Sequence, residues 1–356
     1  MDNQARIEAI QEEIRKTPYH KGTEHHIGKL RARIAQLKSE IIERQLKLSA
    51  SGGGGGYAVA KHGNATVVLV GPPSVGKSTL LNQLTDANSK VAEYEFTTLE
   101  VIPGMLNING ARIQILDVPG LITGAAKGLG RGKEVLSVAR IADLIILMVD
   151  VRRKAELPSM EIELANAGVR LNQNPPKLVV KKTDRGGILI NSPTLTFLDQ
   201  DTIKTIARSY RIVNAQITIK EDLTPEQLID AFAGNRVYVP SIKIVNKSDH
   251  KKPKLDPDIL AISALEGRGL DKLIQLIWDK LGLIRIYLRN PQGEVDMEDP
   301  LVVPSSITVK QAVIKLSSEL VETTTGARVW GPAARHPGQK VGLNHQLKDG
   351  TIIQFI

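Results

Sequence analysis

The chain has 356 residues, of which 42% are hydrophobic and 24% charged, a composition typical of a folded protein of two or three domains. The absence of cysteine excludes a disulfide framework, a thiolate zinc site and a cysteine nucleophile, while the net charge of +9 favours an anionic partner. Charges of both signs near the N-terminus and the lack of an apolar stretch of about 18 residues predict neither a signal peptide nor a membrane span, so we expect a cytoplasmic protein.

Residues 1–49 are predicted to form a helical hairpin. Isoleucine and leucine recur at spacings of three and four on both sides of Pro18, which interrupts the helical pattern. The second helix carries the basic residues Lys29, Arg31, Arg33, Lys38, Arg44 and Lys47. A charge run at helical spacing is usually a solvated face, and the alternative is a surface that contacts phosphate. The glycines at 52–56 then predict a flexible joint at a domain edge.

Apolar, β-rich segments predict the strands of a largely parallel sheet at 65–70, 112–116, 144–151 and 237–245. The interval between the last two is much longer than the roughly 30 residues of one βαβ unit, which indicates an insertion.

The insertion has its own pattern. Short strands are predicted at 178–180, 188–190 and 212–219, the first two on either side of a glycine turn. Thr224, followed by proline and by Gln227 three residues later, predicts a helix that begins with a capping box. We interpret the insertion as a small α+β domain.

From residue 284 the pattern changes again. A strand, an acidic turn, a helix capped by Thr308 with Gln311 three residues later, and several short strands follow to residue 356. This order predicts a compact β-grasp-like domain.

A strand, a glycine loop and a helix follow one another near residue 71, and the loop GPPSVGKS fits GxxxxGK[ST]. Such a loop turns backbone NH groups toward a β-phosphate, with the lysine (Lys77) bridging the β and γ oxygens and the serine (Ser78) ligating Mg²⁺. The predicted phosphate-binding residues are Gly71, Pro73, Ser74, Val75, Gly76, Lys77, Ser78 and Thr79.

A DxxG motif closes the strand downstream of this loop. Asp117 is expected to hold magnesium, and the NH of Gly120 is expected to meet a γ-phosphate. Thr97 and Thr98 lie between the two motifs, and one of them is expected to reach Mg²⁺ and the γ-phosphate when nucleoside triphosphate is bound.

The sequence Asn246-Lys247-Ser248-Asp249 follows a predicted strand and fits NKxD. The carboxylate of Asp249 can accept hydrogen bonds from both the ring NH and the amine of guanine, a pair of donors that adenine lacks. The motif therefore favours GTP over ATP, and an ATPase is the weaker alternative. The base-contacting loop is predicted to comprise Ser263, Ala264 and Leu265.

Together these residues resemble the developmentally regulated GTP-binding (DRG) proteins, in the Obg branch of the P-loop GTPases. The resemblance spans nearly the whole chain and rests on GPPSVGKSTLL, EFTTL, DVPGLITGAAKGLGRGKEVLSVARIADLI, GNRVYVP and ARVWGPAARHPGQKVGL. It implies an α/β fold: a Ras-like, mostly parallel GTPase sheet with an N-terminal helical hairpin, an inserted S5-like α+β domain and a C-terminal β-grasp (TGS) domain. It also favours Thr98 over Thr97 as the magnesium ligand.

The expected boundaries are the helical element and joint at 1–56, the GTPase domain at 57–170 and 237–283, the insertion at 171–236 and the TGS domain at 284–356. The resemblance further implies ribosome or rRNA association and a dedicated protein partner. No membrane and no DNA partner is expected.

Catalysis is expected from Lys77, Thr98 and Gly120. Many GTPases place a glutamine directly after DxxG to orient the attacking water, but this chain has Leu121, so unassisted hydrolysis should be slow. Related GTPases with a hydrophobic residue there often recruit K⁺ through an asparagine in the phosphate loop. The matching residue here is Ser74, whose neutral oxygen leaves potassium as a second candidate cofactor beside Mg²⁺.

Two basic regions are candidate RNA contacts. The glycine-rich segment 123–140 carries a local charge of +3 and is expected either to order with GTP and touch rRNA or to pack against the chain itself. In the TGS domain, the basic residues around Trp330 form a candidate face, with Trp330 as a core residue in the alternative. The residues of that face are Arg328, Arg335, His336 and Lys340.

The function expected from the sequence is a GTP-hydrolysing switch that acts in translation. The alternative, from another class, is an RNA-binding or scaffolding protein in which nucleotide turnover is incidental.

Overall fold

A computed structural model describes residues 3–18, 23–50, 63–85, 102–118, 132–192, 198–250, 254–317 and 320–356. Its helices are α1 (Asn3–Lys16), α2 (Glu24–Ala50), α3 (Lys77–Leu84), α4 (Gly132–Ile141), α5 (Leu157–Asn166), α6 (Gln200–Ser209), α7 (Pro225–Ala233), α8 (Leu270–Leu281), α9 (Val309–Leu316) and α10 (Leu320–Thr323), with a 3-10 helix at Val151–Glu156. Within these ranges, no helix has the length and apolarity to cross a lipid bilayer.

The strands are β1 (Ala65–Val70), β2 (Ile102–Ile108), β3 (Ala111–Asp117), β4 (Leu144–Asp150), β5 (Val169–Leu171), β6 (Leu178–Lys182), β7 (Ile188–Asn191), β8 (Ala215–Ile219), β9 (Val237–Val239), β10 (Ser241–Asn246), β11 (Ile259–Ala261), β12 (Leu283–Leu288), β13 (Leu301–Pro304), β14 (Ala327–Trp330), β15 (Gln339–Val341) and β16 (Thr351–Phe355). The chain forms two compact units. The smaller comprises Met1–Gly56, Lys127–Leu136 and Leu164–Tyr238, and the larger comprises Tyr57–Ala126, Ser137–Glu163 and Val239–Ile356.

The larger unit is built on a six-stranded sheet in the order β11-β10-β4-β1-β3-β2. All neighbouring strands are parallel except the antiparallel pair β2 and β3. Strand β1 is buried along its whole length, as the apolar sequence predicts for a strand covered on both faces. Parallel strands bring their carboxyl ends to one edge, so the residues that end β3, β4 and β10, namely Asp117, Asp150 and Asn246, lie along the same edge.

The single strand predicted at 237–245 is wrong, because Pro240 divides it. Proline lacks the NH that an interior strand position donates. Strand β9 pairs with β5, a strand that the sequence pattern missed, whereas β10 joins the six-stranded sheet. The Pro240 carbonyl still accepts a hydrogen bond from the Ile145 NH at 3.0 Å.

The smaller unit contains α1, α2 and a three-stranded sheet in the order β6-β8-β7, with α6 and α7. Strands β6 and β7 flank the predicted glycine turn but do not pair with each other, because β8 lies between them. The strand predicted at 212–219 begins only at Ala215, and the turn before it includes Arg211, which has a left-handed φ of 60°. The capping box at Thr224 is confirmed. Ala32 of α2 is fully buried in the core of the inserted segment.

The C-terminal part of the larger unit is a five-stranded mixed sheet in the order β13-β12-β16-β14-β15. Helix α9 begins at the predicted capping box of Thr308 and Gln311 and buries Val309, Ala312 and Val313 against it. This is the β-grasp arrangement expected for a TGS domain.

Candidate functional site

The loop between β1 and α3 has a backbone that only particular residues can adopt. Gly76 has a φ of 98°, and a Cβ there would lie 2.5 Å from Nδ2 of Asn246. A Cβ on Gly71 would lie 2.1 Å from the carbonyl oxygen of Met148. Ser74 also has a positive φ, of 63°. The two glycines of the motif therefore allow a tight loop in direct contact with the neighbouring strand ends.

Lys77 opens α3 and is buried. Its Nζ donates hydrogen bonds to the carbonyl oxygens of Gly71 at 3.1 Å and Pro72 at 3.2 Å, and lies 4.0 Å from Oδ1 of Asp117. Burial lowers the pKa of Lys77, and the Asp117 carboxylate opposes that shift. The ammonium group is thus held over the loop by two neutral carbonyls, which phosphate oxygens can replace as acceptors.

Asp117 ends β3 and is almost completely buried. Its Oδ2 accepts a hydrogen bond from Oγ of Ser78 at 2.8 Å, while its buried Oδ1 accepts none from the residues that the structure describes. Burial raises the pKa of the Asp117 carboxyl, against the opposing effects of Ser78 and Lys77. A buried carboxylate oxygen without a hydrogen bond, beside a serine hydroxyl, is a donor set that suits a hard cation such as Mg²⁺.

Within the described ranges, no three histidine, aspartate or glutamate side chains are grouped so as to hold a metal ion. A magnesium ion at Asp117 would therefore depend on substrate oxygens and water for most of its ligands, which is its common mode of binding beside phosphates.

The NKxD residues connect the base side of the site to the phosphate loop. Nδ2 of Asn246 donates to the carbonyl of Val75 at 2.9 Å, and its Oδ1 accepts from the NH of Ala264 at 2.9 Å. Nζ of Lys247 donates to the carbonyl of Ser74 at 2.7 Å and lies 3.4 Å from Oδ2 of Asp150. Both side chains thus fix the loop that follows β1.

Asp249 is oriented by a neighbouring loop. Its Oδ1 accepts a hydrogen bond from Oγ of Ser263 at 2.6 Å, and this bond is the main cause that lowers the pKa of the Asp249 carboxyl. Ser263 and Ala264 are buried, whereas Leu265 is 75% exposed. The site therefore presents an ionised, pre-oriented acceptor beside an exposed apolar side chain, an arrangement suited to a purine edge.

The structure brings the predicted residues of the phosphate loop, Asp117, the NKxD motif and the 263–265 loop together at one edge of the sheet. Thr97, Thr98, Gly120, Leu121 and the glycine-rich segment up to residue 131 lie outside the described residues.

Two residues of the site were not predicted. Asp150 ends β4, caps the following 3-10 helix through the NH groups of Arg152 and Arg153, and pairs with Lys247. Arg153 donates through Nη1 to the carbonyl of Pro73 at 3.4 Å. The position of Asp150 at the end of an apolar strand was the sequence signal that could have predicted its place in the site.

The candidate RNA face on the C-terminal sheet is built on β14 and β15. Arg328 and Lys340 are exposed and directly opposite each other across these strands. Trp330 is only half-buried, and the guanidinium carbon of Arg289 lies 4.4 Å from its ring centroid. The tryptophan face is therefore occupied by a cation–π contact within the domain.

Family models match the chain in three consecutive ranges. Residues 66–182 match a 50S ribosome-binding GTPase, residues 185–283 match the C-terminal region of that GTPase domain (MMR_HSR1), and residues 284–356 match a TGS domain.

Close relatives align over nearly the full chain. The chain is 48% identical to an uncharacterized GTP-binding protein of Methanocaldococcus jannaschii, over 98% of this chain and 92% of that protein. It is 42% identical to developmentally-regulated GTP-binding protein 1 of Xenopus laevis and 40% identical to ribosome-interacting GTPase 1 of Saccharomyces cerevisiae. Both of these alignments cover 99% of this chain and 98% of the relative.

Proposed function

The chain belongs to the developmentally regulated GTP-binding proteins, and from this membership we propose that it is a GTP-hydrolysing switch that acts in translation through ribosome or RNA association. One observation carries the GTPase part. The phosphate loop with Lys77, the Ser78–Asp117 pair and the Ser263-oriented Asp249 lie along one edge of the sheet, with hydrogen bonds from the NKxD residues to the phosphate loop.

In the proposed reaction, water attacks the γ-phosphorus of GTP, the bond to the β–γ bridging oxygen breaks, and GDP and phosphate are released. Lys77, the loop amides and the NH of Gly120 stabilise the charge that develops on the phosphate oxygens. Mg²⁺, held by Ser78, Asp117 and Thr98, would neutralise part of that charge when bound. Because Leu121 cannot hold the attacking water, we expect slow intrinsic hydrolysis that a partner or K⁺ near Ser74 accelerates.

Guanine recognition is tested with Asp249→Asn. The substitution replaces an acceptor of two guanine hydrogen bonds by an amide, which can donate to the carbonyl that xanthine has in place of the amine. Each charge-assisted bond contributes about 1.5–3 kcal/mol, so GTP affinity should fall roughly a hundredfold or more. Calorimetry should show this loss together with tighter binding of xanthosine triphosphate.

The matched control is Asp271→Asn, an exposed aspartate in the first turn of α8. It should bind GTP as the unaltered protein does. Unchanged GTP affinity in Asp249→Asn would remove that residue from the base site.

Ribosome association is supported by the name of the yeast relative, by the family model for residues 66–182 and by the net charge of +9. The test is co-sedimentation with ribosomes in GDP and in a non-hydrolysable GTP analogue, at two salt concentrations. The switch predicts more sedimentation with the analogue. Equal sedimentation in both nucleotides contradicts it.

Single-turnover hydrolysis with and without ribosomes, in Na⁺ and in K⁺ buffer, tests the GTP cleavage that would return the switch to its GDP-bound state. Acceleration by ribosomes or K⁺ supports a switch. If no condition accelerates cleavage, an RNA-binding or scaffolding protein with incidental turnover becomes the better description.

A further inference from the structure

The smaller unit contains a cleft of about 660 Å³ that the GTPase site does not explain. It lies between α2, the end of α5, β5 and α7. Its charged lining residues are Arg31, Lys38, Arg170, Glu226, Asp230 and Arg236. Four cations and two carboxylates give this cleft a net charge of two positive.

The floor of the cleft is a buried ion-pair cluster. Arg170 donates to both oxygens of Asp230, through Nε at 2.6 Å and Nη2 at 2.8 Å. Arg236 donates to the same carboxylate through Nε at 2.8 Å. One carboxylate therefore serves two guanidinium groups, which leaves one positive charge uncompensated.

The surroundings of this cluster are poorly solvated. Burial raises the pKa of Tyr210 to about 12 and also raises the pKa of Tyr238. Both tyrosine hydroxyls are buried with no hydrogen-bond partner among the described residues, within electrostatic range of Asp230 and Arg236. Charge imbalance is costly in such surroundings, because water screens it poorly.

Lys38 adds a second uncompensated cation. It is half-buried on α2, and its Nζ donates to the neutral Oδ1 of Asn166 at 2.8 Å. In the part of the chain that the structure describes, no carboxylate forms an ion pair with it. Burial lowers the pKa of Lys38, and the charges of Arg236 and Arg170 lower it further. The sequence-based prediction of a solvated basic face is therefore wrong for Lys38.

Arg31 does not add to this excess. Its Nη1 donates to Oε1 of Glu226, so the two charges cancel at the rim of the cleft. The Arg31 side chain remains 37% exposed, so this ion pair with α7 lies at the solvated surface that the sequence predicts.

We propose that this cleft binds a phosphomonoester dianion, with Lys38 and Arg236 as its charged donors. A phosphomonoester carries about −1.5 to −2 at neutral pH, which matches the excess of the cleft, whereas a phosphodiester supplies only about one negative charge. The cleft volume is in the range of small-molecule sites, about 300–1,000 Å³. Ile34, Ala35 and Ile229 form an apolar wall suited to the organic part of such a ligand.

The test uses the full chain, loaded with one equivalent of GDP and magnesium and freed of excess nucleotide, so that the GTPase site is filled. Calorimetry measures the binding of inorganic phosphate, of a short RNA with a 5′-monophosphate, and of the same RNA with a 5′-hydroxyl. Lys38→Gln removes the charge and keeps a polar group near Asn166. Lys29→Gln, on an exposed position of the same helix, is the matched control.

We expect the unaltered protein and Lys29→Gln to bind phosphate and the 5′-phosphorylated RNA, and Lys38→Gln to bind both about tenfold more weakly or worse, the loss of one charge-assisted hydrogen bond. Lys38→Arg, which keeps the charge, should retain binding if Lys38→Gln fails to fold. Equal affinity in Lys38→Gln, no phosphate binding by the unaltered protein, or Lys38-dependent binding of the 5′-hydroxyl RNA would each overturn the proposal.

Discussion

Lys77 in the larger unit is buried and Lys38 in the smaller unit is half-buried, but their charges are compensated differently. Lys77 is held by two carbonyls and has the Asp117 carboxylate 4.0 Å away, which opposes the effect of burial on its pKa. Lys38 has one neutral acceptor, and the nearby charges of Arg170 and Arg236 add to the effect of burial. The proposed nucleotide site therefore places a lysine beside a carboxylate that can share a cation with phosphate, whereas the proposed phosphate cleft places a lysine beside arginines that can only attract an anion.

The largest effect is expected from removing the buried Asp230 carboxylate of the smaller unit. Asp230→Ala leaves the guanidinium groups of Arg170 and Arg236 buried without their carboxylate. Breaking a buried pair by removing one partner costs about 3–5 kcal/mol. Hydrogen exchange should show this as lost protection of the amides in α7 and β5.

Asp184→Ala, at an exposed aspartate of the same unit, is the control and should leave exchange unchanged. If the amides of Asp230→Ala exchange as slowly as those of the control, Asp230 does not compensate the charges of Arg170 and Arg236. Added phosphate should restore part of the lost protection, because a phosphate dianion in the proposed site can pair with the two guanidinium groups that have lost their carboxylate.

The next effect is expected in the phosphate loop. Lys77→Ala removes the cation that we propose faces the developing charge, and the loss of one such donor commonly slows a reaction about 10²–10³-fold. Single-turnover GTP hydrolysis measures it, with Lys272→Ala on the exposed surface of α8 as the control. A loss of less than tenfold would mean that Lys77 does not contact the reacting phosphate.

Sequence reasoning identified the residues of the proposed GTPase site because they stand at fixed distances in the chain. The glycines of the phosphate loop, Asp117 at the end of β3 and the NKxD motif each belong to a short motif that needs no distant contact to be recognised. The capping boxes at Thr224 and Thr308 were predicted for the same reason, since both partners lie within three residues.

Features that depend on contacts between distant residues could not be predicted from the sequence. Asp150 meets Lys247 because the register of β4 and β10 places Asp150 opposite Asn246. Lys38 meets the charges of Arg170 and Arg236 only after α2 packs on the inserted segment through Ala32. The helical spacing places Lys38 and the exposed Lys29 on opposite sides of α2, but it does not show which distant residues Lys38 meets. The predicted domain boundaries, likewise, stay a prediction.

The smallest effect is expected from Lys38→Gln on stability in the absence of phosphate. The folded state lowers the pKa of Lys38 below its ordinary value of 10.5, so the unfolded chain holds this proton more tightly. The contribution of Lys38 to stability is therefore least favourable at neutral pH and improves as pH rises through the lowered pKa toward 10.5. Lys38→Gln should remove this dependence, and at neutral pH it should melt at or slightly above the temperature of the unaltered protein. Melting curves between neutral and alkaline pH measure it against Lys29→Gln, and parallel curves for all three proteins would mean that burial and the nearby arginines do not lower the pKa of Lys38.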